Sequence, residues 1–170
     1  MLKNTFALTL MILAGSSVFA QKNVTVNFVH EVDGEPFAFN QDYTDWAGRT
    51  MQFTRAEMYL SEVELLHDVG QALALPYEYL LVRTNVTSIP IGLHNVNSLE
   101  AFNFRIGVDT SVNHDDPTLW PSTHPLAPQK PTMHWGWAGG YRFLILHGIV
   151  DVEGDGTADT TFKLQAIGDP

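Results

Sequence analysis

The chain has 170 residues and a formal net charge of −10, from 9 basic and 19 acidic residues. A composition of 45% hydrophobic and 16% charged residues excludes a disordered chain, and the acidity argues against a nucleic-acid partner, whose phosphates would repel it. With no cysteine there is no disulfide, so any soft-metal site must use histidine, methionine or something less usual.

The first segment, Met1 to Ala20, reads as a secretory signal peptide. It has Lys3, an apolar run from Phe6 to Leu13 and a Val18-Phe19-Ala20 cleavage pattern. The run is too short to span a bilayer, so no membrane anchor is expected. The remaining stretch, 21–170, is of one-domain length, and losing Lys3 makes it one unit more negative.

Short strand-like runs follow. "NVTVNFVH" (Asn23 to His30) alternates Val24, Val26, Phe28 and His30 with period 2. "TRAEMYLSEVELLH" (Thr54 to His67) is mixed: helix formers with a Thr54-x-x-Glu57 capping pattern, then alternating Val63 and Leu65. It predicts a short helical turn followed by a strand from about Leu60. "EYLLV" (Glu78 to Val82) has strand length, and "AFNFRIGV" (Ala101 to Val108) alternates Phe102, Phe104, Ile106 and Val108. "YRFLILHGIV" (Tyr141 to Val150) is apolar on both faces and predicts a central, doubly covered strand. "TTFKLQAI" (Thr160 to Ile167) alternates Phe162, Leu164 and Ala166. Asp33-Gly34, Ala47-Gly48 and Gly154-Asp155-Gly156 mark turns. Strands at this spacing without helical partners predict a single all-β, antiparallel, sandwich-like domain. Between Asp109 and Met133 runs a long loop with Pro117, Pro121, Pro125, Pro128 and Pro131. Such loops are either functional or a rigid cover for a sheet edge.

Three places could carry chemistry. His114 sits in "NHDDP", where Asp115 or Asp116 could orient its ring as a metal ligand's neighbour does; the same residues also suit a plain turn. In "MHWGWAGGY" (Met133 to Tyr141), an extended Trp135–Trp137 would put both indoles on one face and His134 on the other. Composition alone favours an aromatic core plug there. "DVEGDGTAD" places Asp151, Glu153, Asp155 and Asp159 around Gly156 in the spacing of an acidic calcium loop, with a bare acidic turn as the alternative. His147 reads as a hydrogen-bonded core histidine. There is no nucleophile constellation, phosphate loop or cofactor fingerprint, so the expectation is a binding protein and not an enzyme.

"FTRAEMYLSEVEL", "FNFRIGVD", "NHDDP" and "MHWGWAGGYRFL" occur in that order. Together they resemble the MbnP-like copper-binding domain family of exported bacterial proteins, whose W-x-W-x-x-G-Y-x-F core is matched by Trp135 to Phe143. The resemblance implies a periplasmic or extracellular β domain that holds copper for storage, delivery or acquisition. It also implies a tryptophan oxidised to kynurenine through a di-haem partner related to cytochrome c peroxidases. His114 and His134 are then the candidate ligands, with Trp135 and Trp137 the candidates for modification. Some members of the family carry four cysteines. Family domains usually continue with further strands where this chain stops at Asp169-Pro170, so a short C-terminus is expected. The competing expectation is a calcium-stabilised extracellular module presenting Trp120, Trp135 and Trp137 to a ligand such as a glycan.

Overall fold

The computed structural model describes residues 21–75 and 78–168. The leader expectation for 1–20 and the terminal Asp169-Pro170 lie outside the described residues. In chain order the strands are β1 (Lys22–Asn27), β2 (Glu31–Val32), β3 (Glu35–Pro36), β4 (Tyr43–Thr44), β5 (Thr50–His67), β6 (Gln71–Leu75), β7 (Leu80–Arg83), β8 (Ser88–His94) and β9 (Leu99–Ile106). A four-residue helix, α1 (Thr110–Asn113), precedes β10 (Leu144–Val150) and β11 (Thr160–Ala166). The domain is all-β, antiparallel and sandwich-like. No described helix is long and apolar enough to cross a membrane.

Strand β5 is the axis. Its first half pairs with β10, which pairs with the edge strand β11, while β4 and β7 also pair with it; its second half pairs with β6 and β9. The helical turn expected at Thr54 is therefore absent. Sheet pairing along this stretch outweighs a weak helical propensity. Glu57 does not cap a helix: its carboxylate takes Arg55 Nε at 3.1 Å and Arg83 Nε at 3.4 Å.

One extra residue breaks the alternation of β5. Ser61 pairs with Arg105 and Glu64 with Asn103, so three steps on β5 match two on β9. Glu62 takes up the excess with φ +49°. This bulge moves the inward face from even to odd positions, and Leu60, Val63 and Leu65 all enter one core.

That core lies beneath the β1–β8 ribbon, which contributes Val24 and Ile91 against Leu80 and Val82 of β7. A second core on the opposite face gathers Tyr59, Val108, Leu126, Met133, Tyr141, Phe143 and Ile145. The proline-rich loop closes it: the carbonyl of Pro125 accepts the Tyr59 hydroxyl at 2.9 Å, and that of Leu126 accepts the Tyr141 hydroxyl at 2.6 Å. The loop is thus a cover for a sheet face, and it starts at His114.

The central position of β10 matches its apolar pattern, although only Ile145 and Gly148 of the strand are buried; Leu144 and Leu146 line a small apolar cavity beside His30. Phe104, Ile106 and Leu164 are exposed despite their alternation. They lie on β9 and β11, beyond the reach of both cores.

Candidate metal centre

The segment from Met133 to Phe143 is a tight hairpin. His134 bridges Tyr141, Arg142 N–H donates to the Met133 carbonyl at 2.7 Å, and Trp135 N–H donates to the Gly140 carbonyl at 2.8 Å. Gly140 N–H closes the loop on the Gly136 carbonyl at 2.9 Å. Gly136 sits at φ +95° and Gly140 at φ +62°, a backbone that glycine alone adopts cheaply.

The extended arrangement of Trp135 to Trp137 is accordingly not formed. The chain turns at Gly136 and the indoles part. Trp135 lies under the Arg142 guanidinium, 5.0 Å from ring centroid to Cζ. Trp137 meets the edge of the His134 ring, 6.5 Å between centroids. They are 54% and 65% exposed, so neither plugs a core; Met133 and Tyr141 do that.

His134 packs against Tyr141 with ring centroids 4.9 Å apart. Its Nδ1 accepts the Gly136 N–H at 3.1 Å, while its Nε2 is buried with no hydrogen-bond partner. It lines a cavity of about 160 Å³ with Tyr59, Thr118, Gln129, Thr132 and Tyr141. Desolvation holds its basicity below that of a free imidazole; Asp116 opposes this, and His114 and Arg142 add to it.

His114 caps the end of α1, and its Nδ1 lies 2.9 Å from the Trp137 carbonyl. A carbonyl only accepts, so Nδ1 carries the proton and Nε2 the lone pair in the neutral ring. This carbonyl fixes the tautomer. Asp116 instead caps the next turn, accepting the Thr118 N–H and hydroxyl at 2.9 and 2.8 Å, which hold its carboxyl below the usual range.

Sequence reasoning missed the residue that joins these parts. Asn113 is fully buried; its Oδ1 accepts the Tyr141 N–H at 2.9 Å and its Nδ2 donates to the Gly168 carbonyl at 3.1 Å. It fastens α1, the hairpin and the segment that follows β11 to one another. Only its place beside His114 in "NHDDP" hinted at this.

The remaining histidines stay apart. His124 stacks on Trp120 with centroids 4.1 Å apart, which half-buries that indole. His147 is not a core residue; it is half-buried and accepts from Gln165 Nε2 at 2.7 Å. The four carboxylates of the acidic loop do not converge. Asp151 is buried and spends its oxygens on the N–H groups of Gly154, Asp155 and Gly156. Asp155 and Asp159 bond locally to Thr157 and Thr160, and Glu153 faces solvent. Among the described residues no three histidines or carboxylates come together around a cation position.

Fold and site define a β-sandwich domain with a histidine–tryptophan hairpin braced against its loop cover. The chain belongs to the MbnP family, whose model matches residues 21–169. Among solved structures it is similar to MbnP from Methylosinus trichosporium, with 17% identity and a TM-score of 0.64 over 86% of this chain. At that identity the likeness speaks for the fold. The match covers 62% of the length of the Methylosinus protein. No curated protein matches by sequence.

Proposed function

We propose that the protein is exported and binds copper through His114 and His134, for storage, delivery or acquisition. The observation that carries this reading is the buried, unpartnered Nε2 of His134 on the hairpin whose Trp137 carbonyl holds His114 in the tautomer that bears its lone pair on Nε2. Imidazole nitrogens suit copper, and the residues present fit it. Ligation through His134 Nε2 would exchange the Gly136 hydrogen bond for a metal bond, with the ring proton moving to Nδ1. Bound copper would supply a redox-active or soft-metal cargo.

Two imidazoles leave the set short, and an indole N–H is a donor only. Oxidation of Trp137 to kynurenine would add an aromatic amine beside His134. The indole C2–C3 bond breaks as two oxygen atoms enter, from one dioxygen or from two hydrogen peroxides that leave as water, through a di-haem peroxidase-like partner. Hydrolysis then releases the C2 carbon as formate. Trp137 is favoured over Trp135 because the guanidinium above Trp135 opposes removal of an electron from that ring.

Competition with a Cu(I) chelator tests the site. His114→Ala and His134→Ala should each lose more than about 100-fold in affinity, beyond what outer-shell changes cost. Equal affinity in both variants would overturn the assignment. In protein from the native host, peptide mapping should find Trp137 about 4 Da heavier, one carbon lost and one oxygen gained. A gain at Trp135 alone would reverse the choice between the two.

A further inference from the structure

On the other side of the hairpin, cations gather in a chain that is otherwise strongly acidic. Arg55, Arg142 and Lys163 all depress the basicity of His147, after its desolvation. Arg55 is compensated by Glu57 and by the carbonyls of Pro131 and Thr132. Neither Arg142 nor Lys163 has a carboxylate partner among the described residues, where the ion pairs of lysine and arginine use Arg49, Arg55, Arg83 and Arg105. Arg142 donates to the Thr132 carbonyl, yet its Nε is buried without a partner.

These two cations face one cleft of about 530 Å³, lined by Trp135, Arg142, Lys163, Gln165 and Ile167. Lys163 and Gln165 alternate along β11 and so share a face, Ile167 follows just past the strand and lines the same cleft, and the β10–β11 register sets Lys163 opposite His147. His147 holds the Gln165 amide. Half of the Trp135 surface and nearly half of Ile167 stay open, giving an apolar floor beside the charges. The volume is in the range of small-ligand sites.

We propose that this cleft binds a ligand carrying a carboxylate next to an apolar, planar body, the carboxylate between Arg142 and Lys163 and the body on Trp135 and Ile167. A guanidinium fork matches a planar carboxylate, and an ammonium adds a mobile point charge. The carboxylate can come from a small organic acid or from the free carboxyl end of a peptide. The site uses neither histidine of the metal centre, so it stands or falls separately from copper binding.

The test uses the metal-free, unmodified protein in low salt, with calorimetry and tryptophan fluorescence as readouts. The probes are benzoate against benzamide, the dipeptide acetyl-Ala-Phe with a free carboxylate against its amide, and inorganic phosphate. A carboxylate should bind at least about tenfold more tightly than its neutral amide, and the tighter acid of the two identifies the source. Lys163→Gln, an exposed change that leaves the hairpin intact, should remove most of that preference, and Arg142→Gln the rest. Amides binding as well as acids, phosphate outcompeting both acids, no saturable binding of either acid, or an unchanged Lys163→Gln variant would each overturn the proposal.

Discussion

Gly140 and Gly136 sit on the same hairpin with the same kind of backbone, yet replacing them with alanine should have unequal consequences. At Gly136, φ is +95° and a new Cβ would meet nothing within 4 Å. The cost is then left-handed strain alone, about 1–2 kcal/mol. At Gly140, φ is +62° and the Cβ would lie 2.5 Å from Asn113 Oδ1 and 2.7 Å from the Asn113 carbonyl oxygen. Asn113 has no room to yield, because it is fully buried and holds the Tyr141 N–H. To the strain are added overpacking of roughly 1–3 kcal/mol and a buried hydrogen bond worth about 1–3 kcal/mol when one partner is orphaned. Gly140→Ala should therefore cost about 3–8 kcal/mol against about 1–2 for Gly136→Ala. In urea titrations the two midpoints should separate clearly, with equal slopes. Midpoints that coincide would refute the role given to Asn113 as the fixed point of the hairpin.

Asn113→Ala should itself cost about 2–4 kcal/mol, since it strands the Tyr141 N–H in the core; chemical denaturation measures it. Asp151→Ala should lower the melting temperature by roughly 2–8 °C, and Asp151→Asn by less, because three backbone N–H groups lose their acceptor. With Asp151 so engaged, millimolar calcium should leave that temperature unmoved, and a clear rise would support the calcium reading. Acid should also destabilise the fold through Asp68, whose carboxyl is held well below the usual range by the N–H groups of Asn97 and Ser98 and then by His67. A depressed folded pKa gives stability that is present above about pH 4 and is lost as pH falls through the folded value. Asp68→Asn should flatten the stability profile below pH 4, and an unaltered acid limb would count against this source.

The strands legible in the sequence are those with a simple pattern: β1 and β11 fall where period 2 puts them, and β10 falls within the run that is apolar on both faces. Strand β5 was only half legible, because helix formers describe local preference while partners on both sides come from residues far along the chain. The bulge at Glu62 hid the rest, since Leu60 and Val63 share a core only after the register slips. At the candidate site the motif named His134, Trp135 and Trp137, but their separation depends on one backbone angle at Gly136 that no spacing rule reports. Lys163 and Gln165 escaped notice because only the pairing of β11 with β10 brings them beside Arg142 at the foot of the hairpin. The acidic loop shows what spacing leaves out. Its spacing suits an ion, yet Asp151 satisfies the turn's own N–H groups first.

The dense mixture of glycine and aromatic residues in "MHWGWAGGY" follows from these demands. Two indoles two residues apart on an extended strand would share a face and the same neighbours. With Gly136 turned to positive φ they face different chemistry: a guanidinium at Trp135 and an imidazole at Trp137. Gly139 keeps the return strand close, since its missing Cβ would lie 3.2 Å from the Trp135 Cβ. Gly140 then lets Asn113 grip Tyr141, and that grip sets where His134 stands relative to His114. The aromatics stay exposed because the burial that would reward them has been given to Met133 and Tyr141 on either side. Exposed indoles held this firmly leave more than half of each residue's surface open to a ligand, which is the physical reason for placing both proposed sites on this one turn.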